Sequence, residues 1–251
     1  MQADPCQYPP LNRPPNTTSS KNFRPHISIL QLPEWTKGQS AKDIPNLKRY
    51  LKKFGYLNNY DEATLNNDQD DYFDDTLESA VKLYQKNYNL SVTGKLVSAT
   101  IKQMSLPRCG VPDNVQYVIP GAQWPPNKYH LTYAFNSSKQ PALPPEDVRT
   151  TVAFAFTLWT RNSVFSFQEV DLGQPHDLGL LHYDVDEYWS IADPPGTGLL
   201  WVSLHEIGQL LGMGHSLDPL AVMLASITPG IRRKDLNADD VAGIHALYAT
   251  P

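Results

Sequence analysis

One segment, residues 202–216, restricts the fold of this chain more than any other, because it requires a helix that stops and turns back. Positions i and i+4 of a helix project from the same face, so His205 and Gln209 point toward one region. Gly212 can adopt the positive φ that ends a helix, and the turn returns His215 to that region. The segment therefore predicts a cluster of two histidines and a glutamine.

This cluster has a chemical and a purely structural interpretation. The long form of the H-E-x-x-H zinc motif takes three ligands from one such segment, and Glu206 stands where it could reach a water molecule on the metal. Gln209 occupies the position of the second histidine, and a carboxamide oxygen is a weaker zinc ligand than imidazole or thiolate. His205 and His215 could instead be ordinary helix-end histidines. Whether a water molecule or His245 takes the place of the missing imidazole stays open.

A cysteine in a rigid segment is the second feature that bears on metal binding. Residues 107–113 place two prolines and a glycine around Cys109, next to an arginine and an aspartate that can pair. Such a segment can present a thiolate to a zinc ion. The alternatives are an idle thiol or one disulfide with Cys6, the other cysteine of the chain. Two cysteines exclude a disulfide-framed miniprotein.

Apolar periodicity divides the chain into a tail, a helical half and a mixed half. Residues 1–43 are rich in Pro, Asn and Ser and predict a disordered tail. Residues 44–106 predict three short amphipathic helices, the second opened by Asp74 and Asp75 and the third covering residues 95–104. Residues 114–251 combine two strand patterns with three helix starts. The predicted strands cover 129–135 and 164–170, and the predicted helices open near Pro145, Leu199 and Asn237. Asp240, three residues after Asn237, indicates a capping box at the last helix. This order is typical of an α+β or α/β domain.

The composition excludes several classes of partner. The chain has 251 residues, with 21 Lys plus Arg against 26 Asp plus Glu, a net charge of −5. This balance argues against nucleic acid or an anionic membrane, since both require a clustered basic surface. No apolar run is long enough to span a bilayer. The residues after Met1 lack the basic and apolar parts of a signal peptide.

Together these motifs resemble the matrixins, or matrix metalloproteinases, and particularly their short plant type. The heptapeptide 107–113 matches the cysteine-switch motif of that family at every position, and the helical half is similar to its peptidoglycan-binding-like propeptide. Met223 matches the Met-turn beneath the metal. Seven residues resemble the closing helix of the family: Leu236, Asp239, Asp240, Gly243, Ile244, Leu247 and Tyr248. The resemblance implies an α+β fold, in which a three-helix propeptide precedes a metzincin-type zinc-protease domain, with no hemopexin-like domain after Pro251.

The resemblance also implies a role for each site residue. His205 and His215, with Gln209 in the second position, would bind the catalytic zinc. Glu206 would be the general base that assists attack of zinc-bound water on a peptide bond. Cys109 would bind the zinc in a latent zymogen, so activation would release Cys109 and cut the chain between about Asp113 and Tyr129. We therefore expect an extracellular, monomeric metalloendopeptidase that acts on proteins or peptides, including those of the extracellular matrix.

The chain departs from the family between Val170 and His182. The family forms a sheet strand, a loop holding structural zinc and calcium, and an edge strand in this region, whereas only residues 171–181 span it here. His182 matches a structural-zinc ligand, and Asp184 and Glu187 match calcium ligands, but most of their partners are missing. We expect no structural-zinc site and leave calcium open. We also expect the lost strand to leave unpaired backbone that destabilises the sheet.

Two functions of different classes follow from these features. One is a latent zinc endopeptidase with a weakened site. The other is a catalytically impaired pseudoprotease, acting as a binding or regulatory protein, or a defective gene product. Gln209 and the missing strand block favour the second function, whereas Glu206 and Cys109, together with the two histidines, favour the first.

Overall fold

The computed structural model describes most of the chain after residue 31 and divides it into two units. The described residues are 32–58, 60, 70–113, 123–136, 143–178, 183, 188–191, 196–228 and 230–248. A helical unit contains described residues from 32 to 107, together with 111–113. A mixed unit contains residues 108–110 and the described residues from 123 onward. Neither unit has, in its described part, a helix long and apolar enough to cross a membrane.

The helical unit contains the three predicted helices. They are α1 (Ile44–Lys53), α2 (Asp75–Asn87) and α3 (Ser98–Met104). Helix α2 begins as predicted, because the side chain of Asp74 accepts a hydrogen bond from the backbone N–H of Leu77 at 2.7 Å. Helix α3 begins three residues later than the sequence pattern indicates, because Leu96 pairs its backbone with Trp35.

Packing in the helical unit starts before the predicted boundary at residue 44. The backbone of Trp35 exchanges two hydrogen bonds with Leu96, at 3.2 and 2.8 Å. Leu32 and Trp35 are both buried in the core of this unit. The prediction of a tail reaching residue 43 is therefore wrong for residues 32–43, since backbone hydrogen bonds of Trp35 with Leu96 and of residues 38–41 with residues 71–73 anchor this segment without leaving any periodicity in the sequence. Residues 1–31 lie outside the described part of the chain.

The mixed unit combines two small parallel sheets with three helices. Its elements are β1 (His130–Ala134), α4 (Pro145–Arg161), β2 (Ser166–Val170), β3 (Trp189–Ser190), β4 (Thr197–Gly198), α5 (Leu199–Leu210) and α6 (Ala238–Leu247). Strand β1 pairs with β2, and β3 pairs with β4. Helix α4 connects β1 to β2, as a parallel pair requires. The predicted α+β fold class is confirmed.

Helices α4 and α5 pack against each other and hold the site in place. Trp159 of α4 is fully buried and donates from Nε1 to the backbone carbonyl of Leu204 on α5, at 3.0 Å. Trp201 of α5 is 1% exposed and donates from Nε1 to the carbonyl of Val222, at 3.2 Å. Each indole combines a large apolar contact with a satisfied N–H, so the core fixes the position of α5.

The loop after β2 satisfies the backbone of β1 next to the missing strand block. The carboxylate of Asp177 accepts from Thr132 N at 3.0 Å and from Thr132 Oγ1 at 2.8 Å. The Thr132 carbonyl accepts in return from the N–H groups of Asp177 and Leu178, at 3.0 and 3.1 Å. Leu178 is 3% exposed and fills the core. The expectation of unpaired backbone is therefore wrong at Thr132, because one carboxylate and two amides replace a strand there.

Replacing Asp177 by alanine should lower the free energy of unfolding at pH 7 by about 1–2 kcal/mol, because two partly buried hydrogen bonds to Thr132 are lost. Burial raises the pKa of Asp177, but hydrogen bonds from Lys128 and Thr132 outweigh it, and the net pKa is lowered from 3.8. A lowered pKa stabilises the fold above the unfolded-state pKa, and this contribution disappears as the pH falls through the folded-state pKa.

Urea unfolding between pH 7 and pH 3 should show the difference in free energy of unfolding between wild type and the Asp177→Ala variant shrinking as the pH falls. A difference of the same size at every pH would contradict the assignment. The control is Asp171→Ala, an exposed carboxylate of the same loop.

Candidate metal centre

Helix α5 and the turn that follows it form the predicted cluster. The helix carries His205, Glu206 and Gln209 and ends at Leu210. Gly212 has a φ of 90°, as predicted, and the next residues turn back toward the helix. The imidazole rings of His205 and His215 consequently lie 5.4 Å apart, centroid to centroid. Both histidines are 5% exposed.

The carboxamide of Gln209 lies at the centre of this cluster. Its Nε2 atom is 3.1 Å from each of three atoms: Cys109 Sγ, His205 Nε2 and His215 Nε2. A carboxamide nitrogen has only two hydrogens, so it cannot satisfy all three acceptors at once. Its Oε1 is buried and has no hydrogen-bond partner among the described residues, which costs about 1–3 kcal/mol. Gln209 thus directs its nitrogen to a point where three lone pairs converge.

A backbone carbonyl sets the tautomer of His205. His205 Nδ1 lies 2.9 Å from the carbonyl oxygen of Val222. A carbonyl can only accept, so Nδ1 carries the proton and the Nε2 lone pair faces Gln209. Burial and the neighbouring His215 lower the pKa of His205 to about 3, although the bond to Val222 opposes them. His205 is therefore a neutral imidazole, the form that binds metals.

Backbone pairing with the segment after Met223 positions Cys109. The N–H of Cys109 donates to the carbonyl of Ala225 at 2.9 Å, and Arg108 forms an antiparallel bridge with Ser226. Cys109 is 5% exposed. Its sulfur is disulfide-bonded in this structure, and Cys6, the other cysteine of the chain, lies outside the described residues.

Asp240 of α6 organises the Met-turn beneath the histidines. Its buried carboxylate accepts from the N–H groups of Val222, Met223 and Asn237, at 2.9, 3.0 and 2.9 Å. Burial raises the pKa of Asp240, and these three bonds oppose the increase. Asn237 in turn caps α6 by accepting from Asp240 N, so the predicted capping box is present. The sequence indicated this capping box but not its contact with the Met-turn.

Met223 contacts the backbone of α5 at Gly208. A Cβ atom placed on Gly208 would lie 2.5 Å from Met223 Sδ and 2.9 Å from Trp159 Cζ2. Only a glycine allows the sulfur to approach the helix this closely. The contact lies one residue before Gln209, so Met223 packs against the part of α5 that carries Gln209.

Glu206 is 2% exposed and lies close to Tyr183. Burial raises the pKa of Tyr183, the hydrogen bond to Ser203 lowers it, and the charge of Glu206 raises it. The oxygen of the Ser203 hydroxyl lies 2.7 Å from both the hydroxyl of Tyr183 and the carbonyl oxygen of Leu199. Sequence reasoning missed this pair, because no motif links residues 183 and 203.

The donor atoms suit a zinc ion when Cys109 is a thiolate and the Gln209 amide moves aside. Cys109 Sγ and the ring nitrogens of His205 and His215 lie within 4.8 Å of one another. Ligands of a tetrahedral zinc, at about 2.0–2.3 Å from the ion, stand about 3.3–3.7 Å apart, so small side-chain rotations suffice. This trio is the one potential metal-binding group of His, Cys, Asp and Glu found in the described part of the chain.

Comparison with known proteins identifies the family. A model of the matrixin family matches residues 172–249, and a model of a peptidoglycan binding domain matches residues 40–104. Metalloendoproteinase 1 of Glycine max is 36% identical over 263 residues, which cover 84% of this chain and 83% of that protein. The chain belongs to the matrixin family. Among other matrixins, human matrilysin is 32% identical over 258 residues (89% of this chain, 92% of that protein), and Arabidopsis thaliana metalloendoproteinase 4-MMP is 32% identical over 300 residues (96% and 85%).

Family membership confirms the predicted propeptide-plus-protease organisation and makes the chain a metalloendopeptidase by resemblance. The family also implies zinc as the metal. His182, Asp184 and Glu187 lie outside the described residues, so their structural-zinc and calcium roles remain predictions. His245 is exposed and contacts the carbonyl of Asn162 at 3.0 Å. It is therefore not the substitute for the missing imidazole.

Proposed function

We propose that this matrixin is made as a latent zymogen. In this proposal His205 and His215 bind the zinc, Cys109 blocks the zinc in the latent form, and Glu206 assists catalysis. The observation that carries the proposal is the convergence of two imidazole nitrogens and a sulfur on one buried point. The neutral tautomer of His205 supports it, because the Nε2 lone pair faces that point.

Each protein group has one task in the proposed hydrolysis. A bound zinc ion supplies a Lewis acid that polarises the scissile carbonyl and lowers the pKa of water. Glu206 takes the proton from the attacking water and returns it to the leaving amine. Its burial favours this role, because a carboxylate shielded from solvent is a stronger base than an exposed one.

The proposal extends to location, partners and boundaries. By family, we place the protein outside the cell as a monomer that cleaves extended protein or peptide substrates. We propose residues 44–106 as the propeptide, 107–113 as the cysteine-switch segment and 114–251 as the catalytic domain, with activation by cleavage between about Asp113 and Tyr129. The net charge of −5 supports protein substrates over nucleic acid.

A second candidate function, a pseudoprotease that binds without cleaving, is favoured by one observation. The amide nitrogen of Gln209 points at the three donor atoms, and an amide N–H group repels a cation. In this alternative the site stays closed by its own hydrogen bonds, and the domain acts as a binding or regulatory protein.

Peptide hydrolysis after zinc loading and limited proteolysis tests the two candidates. The wild-type chain should hydrolyse a fluorogenic peptide at least about 100-fold more slowly than Gln209→His, because a carboxamide binds zinc weakly. Adding Glu206→Gln to the Gln209→His variant should reduce kcat by about 100- to 10,000-fold. No hydrolysis by wild type, with an active Gln209→His variant, would establish the pseudoprotease. A zinc-loaded Gln209→His variant without activity would reject the peptidase mechanism.

A further inference from the structure

Because Gln209 occupies the position of one of the three metal-binding histidines, zinc binding at this site depends more on Cys109 than it would with three imidazoles. Helix α5 and its turn supply two imidazole nitrogens, from His205 and His215. The third protein group at this point is Gln209, whose neutral oxygen is a weak ligand and whose nitrogen is none. Among the described residues, the one other strong donor within reach is Cys109 Sγ. The latent chain therefore has three strong donors, and the chain without Cys109 has two.

We infer that Cys109 is a required zinc ligand of this chain, so that releasing Cys109 lowers the zinc affinity of the site at least about 100-fold instead of only opening it. The inference rests on the proposed function, because it concerns the same metal. Cys109 completes the site that Gln209 leaves short of a ligand. Proteolytic removal of residues up to 113 therefore weakens zinc binding, and the processed domain hydrolyses peptides only when enough free zinc is supplied to load it.

Backbone geometry supports a ligand role for Cys109. Its N–H group bonds to Ala225 O at 2.9 Å, two residues after Met223. The same short stretch presents Val222 O to His205 Nδ1 at 2.9 Å. One segment thus fixes both the sulfur and one imidazole, and the three donors converge without the Gln209 side chain. Gln209 fills the space between them, with its Oε1 unsatisfied.

The inference also makes metal binding dependent on redox state. The sulfur of Cys109 is disulfide-bonded in this structure, and a disulfide sulfur does not replace a thiolate as a zinc ligand. A dithiol reductant supplies two electrons and two protons, which break the S–S bond into two thiols while the dithiol becomes a disulfide. Zinc then displaces the proton of the Cys109 thiol. The oxidised chain should bind zinc at least about 100-fold more weakly than the reduced chain.

The test is a double-mutant cycle on the full chain, reduced with a dithiol and kept without oxygen. Wild type, Cys109→Ser, Gln209→His and the double variant are titrated with zinc against a competing chelator. Losing a group that merely orients a ligand costs about 10–100-fold in affinity, so losing Cys109 from a three-donor site should cost at least about 100-fold. In the Gln209→His background the same change should cost less than about 10-fold, because three imidazoles remain. Cobalt-loaded wild type should show a thiolate-to-cobalt charge-transfer band that Cys109→Ser lacks.

Each outcome of the cycle decides the inference. A loss below about 10-fold on Cys109→Ser in the chain that keeps Gln209 would overturn it, while retained zinc would leave the proposed function standing. Zinc binding by Gln209→His but not by reduced wild type would also overturn it. If no variant binds zinc although tryptophan fluorescence shows each to be folded, the proposed function fails together with the inference. Cys109→Ala serves as a second variant if Cys109→Ser does not fold.

Discussion

Replacing Asp240 by alanine should lower the free energy of unfolding of the mixed unit by about 3–5 kcal/mol. The substitution removes a buried carboxylate that accepts three backbone hydrogen bonds, from Val222, Met223 and Asn237. Hydrogen bonds to a charged group contribute about 1.5–3 kcal/mol each, and an unsatisfied buried N–H costs about 1–3 kcal/mol. Desolvation of the ionised carboxylate offsets part of this sum, as the raised pKa of Asp240 indicates.

Urea unfolding followed by tryptophan fluorescence measures this effect. Four of the five tryptophans, Trp124, Trp159, Trp189 and Trp201, belong to the mixed unit, so the signal reports mainly on it. Asp235→Ala, an exposed carboxylate before α6, is the control and should change stability by less than about 0.5 kcal/mol. Asp240→Asn should fall between the two. A loss below about 1 kcal/mol for Asp240→Ala would show that the Met-turn does not depend on this carboxylate.

Replacing Gly208 by alanine should destabilise the mixed unit by about 1–3 kcal/mol, against the usual direction of this substitution. In a helix interior alanine is normally more favourable than glycine by about 1 kcal/mol. Here the added methyl group would lie 2.5 Å from Met223 Sδ and 2.9 Å from Trp159 Cζ2. Both neighbours are fully buried, so the core must shift to accept it.

A second substitution separates this clash from other effects. Met223→Ala alone should cost about 2–5 kcal/mol, since it leaves a cavity. In that background the cost of Gly208→Ala should fall by at least half, because the cavity accepts the new methyl group. The free energies of unfolding of the four chains give the coupling. Additive costs would mean that Gly208 and Met223 do not contact each other in solution.

Sequence patterns predicted the structure correctly where the conformation of a helix or turn depends on its own residues. The i and i+4 spacing of His205 and Gln209 put both on one face of α5, and Gly212 ended the helix with the predicted positive φ. The sequence also indicated the Asn237 capping box and the apolar periodicity of α1 and α2. Backbone sterics and periodicity act within a few residues, so they leave a trace in the sequence.

The sequence did not indicate the contacts between distant segments. Nothing in the pattern around Asp177 indicates that its carboxylate replaces a strand beside Thr132, 45 residues away. Trp35 likewise pairs with Leu96 although its own neighbourhood has no periodicity. The Asp177 carboxylate accepts hydrogen bonds from a remote strand, and Trp35 is buried beside a remote segment. In each case one residue makes the contact, and one residue is too few to form a pattern.

The sequence by itself therefore determined the family, the α+β class, the helices and the identity of the clustered residues that we propose as the metal site, including the glutamine at position 209. The tertiary structure decided how those residues meet. It placed the amide nitrogen of Gln209 3.1 Å from Cys109 Sγ, His205 Nε2 and His215 Nε2, and it used Asp240 to hold the Met-turn. The physical reason is that helix geometry follows from local sterics, whereas a metal site follows from the convergence of donors, which only the packed chain brings together.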